Sequence, residues 1–327
     1  MTETAWPPYS LVEDELDAPA RRAAEKLERL YHVGQENAWD GRALLADLVA
    51  RHGPPRFRDP ATEASALKLL AVLLWGELAA WSISADLAER LDDVDAKMAA
   101  TAQAHDEARH FTVLRDYVQA VTAATGARLP RLGRLSRGLL HDLITTESLV
   151  HKLIGMQLLV EVQALAIFRA LADTNVEPVL SGLLPYIERD EARHVGLGVM
   201  YLPRLLPHLG RVDRARAVAF QLRCVGALIS GGLTLRDDFV RLGIDEREMA
   251  TRSMRFQDQI LRDMRSEGPP GLANRRAATS ALLNPSRGFG PRIIGFFHPD
   301  GGMAAAAPWH QLAFRVCQEG ARLADRL

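Results

Sequence analysis

One pentapeptide occurs twice in this chain. Asp106-Glu107-Ala108-Arg109-His110 returns as Asp190-Glu191-Ala192-Arg193-His194. Residues 71–110 lie on 155–194 without a gap, so that Glu77 falls on Glu161 and Ile83 on Ile167. This reads as an internal duplication, and it constrains the fold. Glu77 and Glu107 are 30 residues apart with Asp92–Asp93 at the midpoint; Glu161 and Glu191 are also 30 apart, with a break near Val176. Climbing one helix for about 15 residues and descending the next for as many returns the chain to the same height. Each glutamate therefore faces its partner across a helical hairpin, and two such hairpins packed together make a four-helix bundle.

The rest of the sequence agrees with an all-α fold: a four-helix bundle with additional N- and C-terminal helices. Alanine, leucine, arginine and glutamate dominate, and all are good helix formers. Aromatic residues make up only 6%, and no clear run of alternating β-branched residues suggests a strand. Residues 1–60 read as a helical N-terminal extension, with helices over Ala20–His32 and Gly41–Arg51 before the breaker Pro54, Pro55, Pro60. Residues 61–206 read as the bundle, with long helices over 61–90, 94–124, 147–173 and 178–206 and a shorter one near Ser136–Ile144. Residues 207–327 read as helices over 212–241 and 245–266, an extended wrap over 268–305 and a closing helix near 308–326, packed on the bundle.

Glu and His at i and i+3 share one helical face, so Glu107 with His110, and Glu191 with His194, can point into the bundle. Glu77 sits within Leu73-Leu74-Trp75-Gly76-Glu77-Leu78-Ala79-Ala80-Trp81, and Glu161 within Leu158-Leu159-Val160-Glu161-Val162. An ionised carboxylate in an apolar interior needs a partner, and no Lys or Arg lies nearby in sequence. Two divalent cations at the level of Glu77, Glu107, His110, Glu161, Glu191 and His194 would neutralise the carboxylates. Carboxylate and imidazole together suit iron or manganese. Asp106, Arg109, Asp190 and Arg193 flank these residues. They are either solvated surface charge or partners of the histidines, each Asp accepting the free ring N–H and so setting the tautomer.

Net charge is −1, with no basic excess of the kind nucleic-acid binders carry. The C-terminal third is locally basic (Arg262, Arg265, Arg275, Arg276, Arg287, Arg292), which reads as solvated surface or a face for an acidic partner. Two cysteines, Cys224 and Cys317, are too few for a disulfide framework and are expected as buried free thiols. The N-terminus shows no signal-peptide pattern. The most apolar stretch, Leu69–Ile83, reads as too short for a membrane span. A cytoplasmic protein, with a homodimer as the default assembly, is expected.

On these motifs, residues 61–206 resemble the ferritin-like di-iron carboxylate superfamily. The Asp-Glu-x-Arg-His form looks most like its oxygen-activating branch: hydrocarbon monooxygenases, acyl-carrier-protein desaturases and ligand-binding oxidases related to the ribonucleotide reductase small subunit. The spacing of the hairpins is also similar to aldehyde-deformylating oxygenases. Individual families depart from it. Reductase small subunits place a radical tyrosine where this chain has Leu114, and hydrocarbon monooxygenases place a threonine where it has Leu165. Aromatic-amine N-oxygenases add a histidine where it has Ile187, and the ligand-binding oxidases cross-link a tyrosine where it has Met156. These four apolar residues line a greasy cavity beside the metals or are simply packed.

The resemblance implies a di-iron, or manganese–iron, oxidase or oxygenase. Glu107 and Glu191 would bridge two ions capped by Glu77, Glu161, His110 and His194. O2 would be the co-substrate, a small organic molecule the substrate, and an external electron donor such as a reductase or ferredoxin the partner. Two other readings stand beside it: a peroxidase or ferroxidase, and a non-enzymatic binding protein stabilised by metal.

Overall fold

In the computed structural model, residues 18–267, 296–298 and 303–326 are described, and no strand occurs among them. Caps divide the helices at the breakers. Asp59 and Asp93 accept the backbone N–H of Thr62 and Ala96, each at 2.8 Å, and so open α3 (Pro60–Arg90) and α4 (Val94–Thr125). α4 ends at Gly126 with φ 73°, a left-handed conformation that glycine adopts without strain. The third bundle helix, α6 (Leu149–Thr174), ends at Asn175 with φ 47°. Glu177 then opens α7 (Pro178–Leu205) by accepting the N–H groups of Val179 and Leu180 at 3.3 and 2.8 Å, and it also accepts the Tyr117 hydroxyl at 2.8 Å. Pro60 and Pro178 occupy the first turn, where a missing N–H costs nothing.

These boundaries follow the breakers closely, but α6 departs from the plain helix expected over 147–173. It begins as an α-helix at Leu149–Lys152, widens to a π-helix over Leu153–Val160, and returns to an α-helix at Glu161. The Glu161 N–H reaches the Met156 carbonyl, five residues back.

Helix α3 packs on α4, α6 on α7, and α4 on α7. The N-terminal helices α1 (Ala18–Glu36) and α2 (Gly41–His52) cover α4 and α7. On the other side α8 (Arg211–Leu242) lies against α3, α6 and α5 (Arg134–Thr145). Helix α9 (Glu246–Glu267) packs on α6, α7 and α8, and α10 (Pro308–Arg326) on α8 and α5. The core of the four-helix bundle forms two apolar clusters: one holds Leu70, Tyr117, Phe168 and Leu183, the other Ile83, Ala100, Leu153 and Leu202. Every bundle helix contributes to both, and its conspicuous acidic and histidine residues fall in the gap between them.

Three expectations are corrected or left aside. Cys224 is buried, its thiol pushed up to about 11 by burial, but Cys317 is exposed because it faces outward on α10. The apolar stretch Leu69–Ile83 belongs to a longer helix. By length and composition α3, α6 and α8 could each cross a membrane, with 61%, 72% and 33% of their apolar windows buried within the protein. The wrap expected over 268–305 lies outside the described residues apart from 296–298 and 303–305, as do most of the basic residues expected on its surface.

Candidate metal centre

The duplication brings its six residues together. Glu77 on α3, Glu107 and His110 on α4, Glu161 on α6, and Glu191 and His194 on α7 are all 4% exposed or less. Two clusters of ligand atoms form, each within 4.8 Å: Glu77, Glu107, His110 and Glu191 in one, and Glu107, Glu161, Glu191 and His194 in the other. Glu107 and Glu191 belong to both. Each histidine turns Nδ1 toward the carboxylates. His110 Nδ1 lies 3.3 Å from Glu77, 3.2 Å from Glu191 and 3.5 Å from Glu107; His194 Nδ1 lies 2.9 Å from Glu107 and 2.9 Å from Glu191.

The Nε2 atoms meet the aspartates, and the pairing crosses between the repeats. His110 Nε2 is 3.2 Å from Asp190, and His194 Nε2 is 3.3 Å from Asp106. The arginines cross as well. Arg109 donates to Asp106 and, at 2.9 Å, to Asp190; Arg193 donates to Asp190 at 2.9 Å and to Asp106 at 2.8 Å. The four flanking residues thus form a closed, nearly two-fold network beneath the histidines rather than solvated surface charge. It clamps the two hairpins to each other and fixes both imidazoles.

Sequence reasoning missed three residues. Trp39, just before α2, donates its indole N–H to Asp190 at 2.7 Å, stacks on His110 with ring centroids 6.2 Å apart, and lies under the Arg109 guanidinium. No local pattern marks it, since the contact spans 151 positions. Gln103 and Gln157 are buried beside Glu107 and Glu161 and bond to one another. Their signal was available: each is an amide one turn before a glutamate of the duplication.

An apolar cavity of about 130 Å³ adjoins the cluster. Glu77 and Glu161 stand in its wall, beside Gly76, Ala80, Ala164 and Gly232. Of the four residues expected to line such a cavity, only Met156 does. Leu114 and Ile187 are fully buried in the cluster around Tyr117, and Leu165 is packed into the other cluster. Gly76 and Ala80 of α3, Ala164 of α6 and Ala227, Gly231 and Gly232 of α8 line the cavity, whereas no residue of α4 or α7 does.

No family model matches the chain, and no curated protein matches it. Solved structures do. A valine-to-leucine variant of an R2-like ligand-binding oxidase with anaerobically reconstituted Mn/Fe cofactor superposes with a TM-score of 0.54 at 18% identity, over 72% of this chain and 92% of that one. A valine-to-isoleucine variant with aerobically reconstituted Mn/Fe cofactor gives 0.50 at 18% identity, over 74% and 90%. The chain has the ferritin-like fold.

Within this ferritin-like bundle the electrostatics call for cations. Burial, and then the charge of Glu191, push Glu77 and Glu161 well above the usual carboxylate range. Burial opposes the ionisation of Glu107 too, but the nearby His194, and then His110, outweigh it and hold that carboxyl low. Both histidines are raised well above their ordinary value. Burial works against this, and Asp190 for His110, with Glu107 and Glu191 for His194, overcome it. These shifts favour protons on Glu77, Glu161, His110 and His194. Glu77 Oε2, Glu107 Oε2 and His110 Nδ1 are buried without any hydrogen-bond partner, a costly arrangement that two divalent ions would relieve. The donor set of carboxylate oxygen and imidazole nitrogen fits iron and manganese.

Proposed function

We propose that the protein is a non-haem dinuclear oxidase or oxygenase, with two iron ions or a manganese–iron pair, that uses O2 to oxidise an apolar or partly apolar organic substrate. One observation carries the reading. Glu77 and Glu161, the carboxylates unique to each ligand cluster, stand in the wall of an apolar cavity large enough for organic groups. The same cavity disfavours a peroxidase or ferroxidase, whose small polar substrate gains nothing from it. The bound metal pair would supply O2 activation, with electrons from an external reductase or ferredoxin.

The chain's own residues do the rest. Glu107 and Glu191, common to both clusters, would contribute to holding both ions. Asp190 and Asp106 keep each imidazole's Nε2 protonated and so leave Nδ1 free to ligate. The cavity wall keeps water from the reacting substrate carbon or nitrogen, and the outcome (hydroxylation, desaturation, N-oxidation or C–C cleavage) follows from what the cavity presents. We read the apolar helices as core and cavity wall of a soluble, cytoplasmic protein.

The test is metal content by elemental mass spectrometry on protein expressed with iron and manganese available, followed by O2 uptake of the reduced protein with and without apolar substrates. About two metals per chain, lost in Glu107→Ala and Glu191→Ala, and O2 uptake accelerated by an apolar substrate are expected. Less than about half an equivalent, with no uptake of added ferrous iron, refutes the reading.

A further inference from the structure

One turn before each glutamate of the cluster stands a buried residue: Leu73, Gln103, Gln157 and Ile187. In the duplication Gln103 corresponds to Ile187 and Gln157 to Leu73. The two-fold relation of the ligands is therefore broken immediately outside them. On the flank of Glu161 and His194 two amides meet. Gln157 donates to Gln103 Oε1 at 3.0 Å. The Gln103 amide nitrogen lies 3.0 Å from Glu161 Oε1, 3.2 Å from Glu107 Oε1 and 3.2 Å from Gln157 Oε1. The equivalent flank, beside Glu77 and His110, presents Leu73 and Ile187 instead, and Glu77 Oε2 has no amide donor, only His110 Nδ1 at 3.3 Å in poor hydrogen-bond geometry.

The fold makes room for this difference. Gly198 of α7 packs so closely on the π-segment of α6 that a Cβ there would lie 2.6 Å from Gln157 Cβ and 3.2 Å from Leu158 Cδ2. The position equivalent to Gly198 in the first repeat is Leu114. Where one repeat sets leucine beside leucine, the other gives up a side chain to accommodate a glutamine. Two buried amides are costly unless bonded, and an apolar pair serves the other flank without that cost.

We propose that the Gln103–Gln157 pair makes the two metal positions unequal. The position built by Glu161 and His194 is held in its binding geometry before the ion arrives, so it fills first and releases its ion last. The position built by Glu77 and His110 has a terminal carboxylate without a fixed partner, and it is the weaker and more adaptable one. Gln103 and Gln157 are positioning residues: Gln103 donates to the glutamates, and Gln157 holds Gln103 in place. Outer hydrogen bonds of this kind change metal affinity by about 10- to 100-fold. The inference rests on the metal reading above.

The experiment is a titration of Mn2+ into the metal-free, full-length protein, with free aquated Mn2+ followed by electron paramagnetic resonance. Repulsion between two ions separates the steps even in a symmetric centre, so the comparison of variants decides. Glu77→Ala should keep the first, tight step within about threefold, whereas Glu161→Ala should weaken it by at least about tenfold. Gln103→Ile and Gln157→Leu, which copy the other flank, should weaken the first step by about 10- to 100-fold and leave the second in place, with folding checked by circular dichroism. Equal weakening by Glu77→Ala and Glu161→Ala overturns the proposal even if the glutamine variants fail to fold, as does a first step indifferent to folded glutamine variants. A wild-type protein that binds no Mn2+ and no ferrous iron overturns the metal reading, and the inequality with it.

Discussion

Asp190 shows how much one residue carries in this centre. It accepts from Trp39, Arg109 and Arg193 and holds His110 Nε2, and these contacts keep its carboxyl low despite burial. Asp190→Asn keeps the shape and removes the charge. Manganese affinity at the Glu77–His110 position should fall about 10- to 100-fold, read by the same titration, with the fold intact by circular dichroism. A second residue sets a pH dependence. Burial pushes Glu246, at the start of α9, up to about 7, and Arg236 at 3.5 Å offsets only part of this. The ordinary value is 4.5, so between these pH values the folded protein holds a proton that the unfolded chain has released. This contribution is fully present below 4.5 and lost as pH rises through about 7. Glu246→Gln should be more stable than wild type at pH 8, by at most about 3 kcal/mol, with no gain at pH 4. Melting curves across that range check the sign.

At the level of elements, the π-segment of α6 and the glycine of α7 opposite it form one device. The wide turn ends at Glu161, and Gly198 lets α7 approach it. Gly198→Ala forces the helices apart or Gln157 out of place, and overpacking of this kind costs about 1–3 kcal/mol. Gly226 on α8 is the control, because an added Cβ there meets nothing within 4 Å. Gly226→Ala should stabilise by up to about 1 kcal/mol through helix propensity. Opposite shifts in melting temperature for the two variants are expected; a neutral Gly198→Ala would show that the close approach is not required.

Over the whole molecule, the six buried residues lie between two apolar clusters, with Glu77, Glu161, His110 and His194 all raised above their ordinary values. Loading therefore couples to both folding and protons. Glu77, Glu161, His110 and His194 hold their protons more tightly than usual, so metal loading should release protons in a lightly buffered titration. Affinity should fall as pH falls. Because ions bind the folded cluster and not the unfolded chain, free metal at about 100 times its dissociation constant should stabilise by ~2.7 kcal/mol. The melting temperature should rise on loading and return on chelation.

Much of this was legible along the chain. Helix limits follow from Pro60, Asp92–Asp93 and the break near Val176, because helix ends are a local matter of a few residues. The six candidate ligands follow from a duplication whose spacing is a one-dimensional signal. Other features were not legible, because they depend on how the two hairpins are turned against each other. Asp106 serves the histidine of the opposite repeat, Trp39 reaches Asp190 from far along the chain, and the two glutamines meet only on one flank. The cavity was placed by tertiary structure as well. It lies where small residues of α3, α6 and α8 face one another, and no single helix carries the pattern that would have announced it.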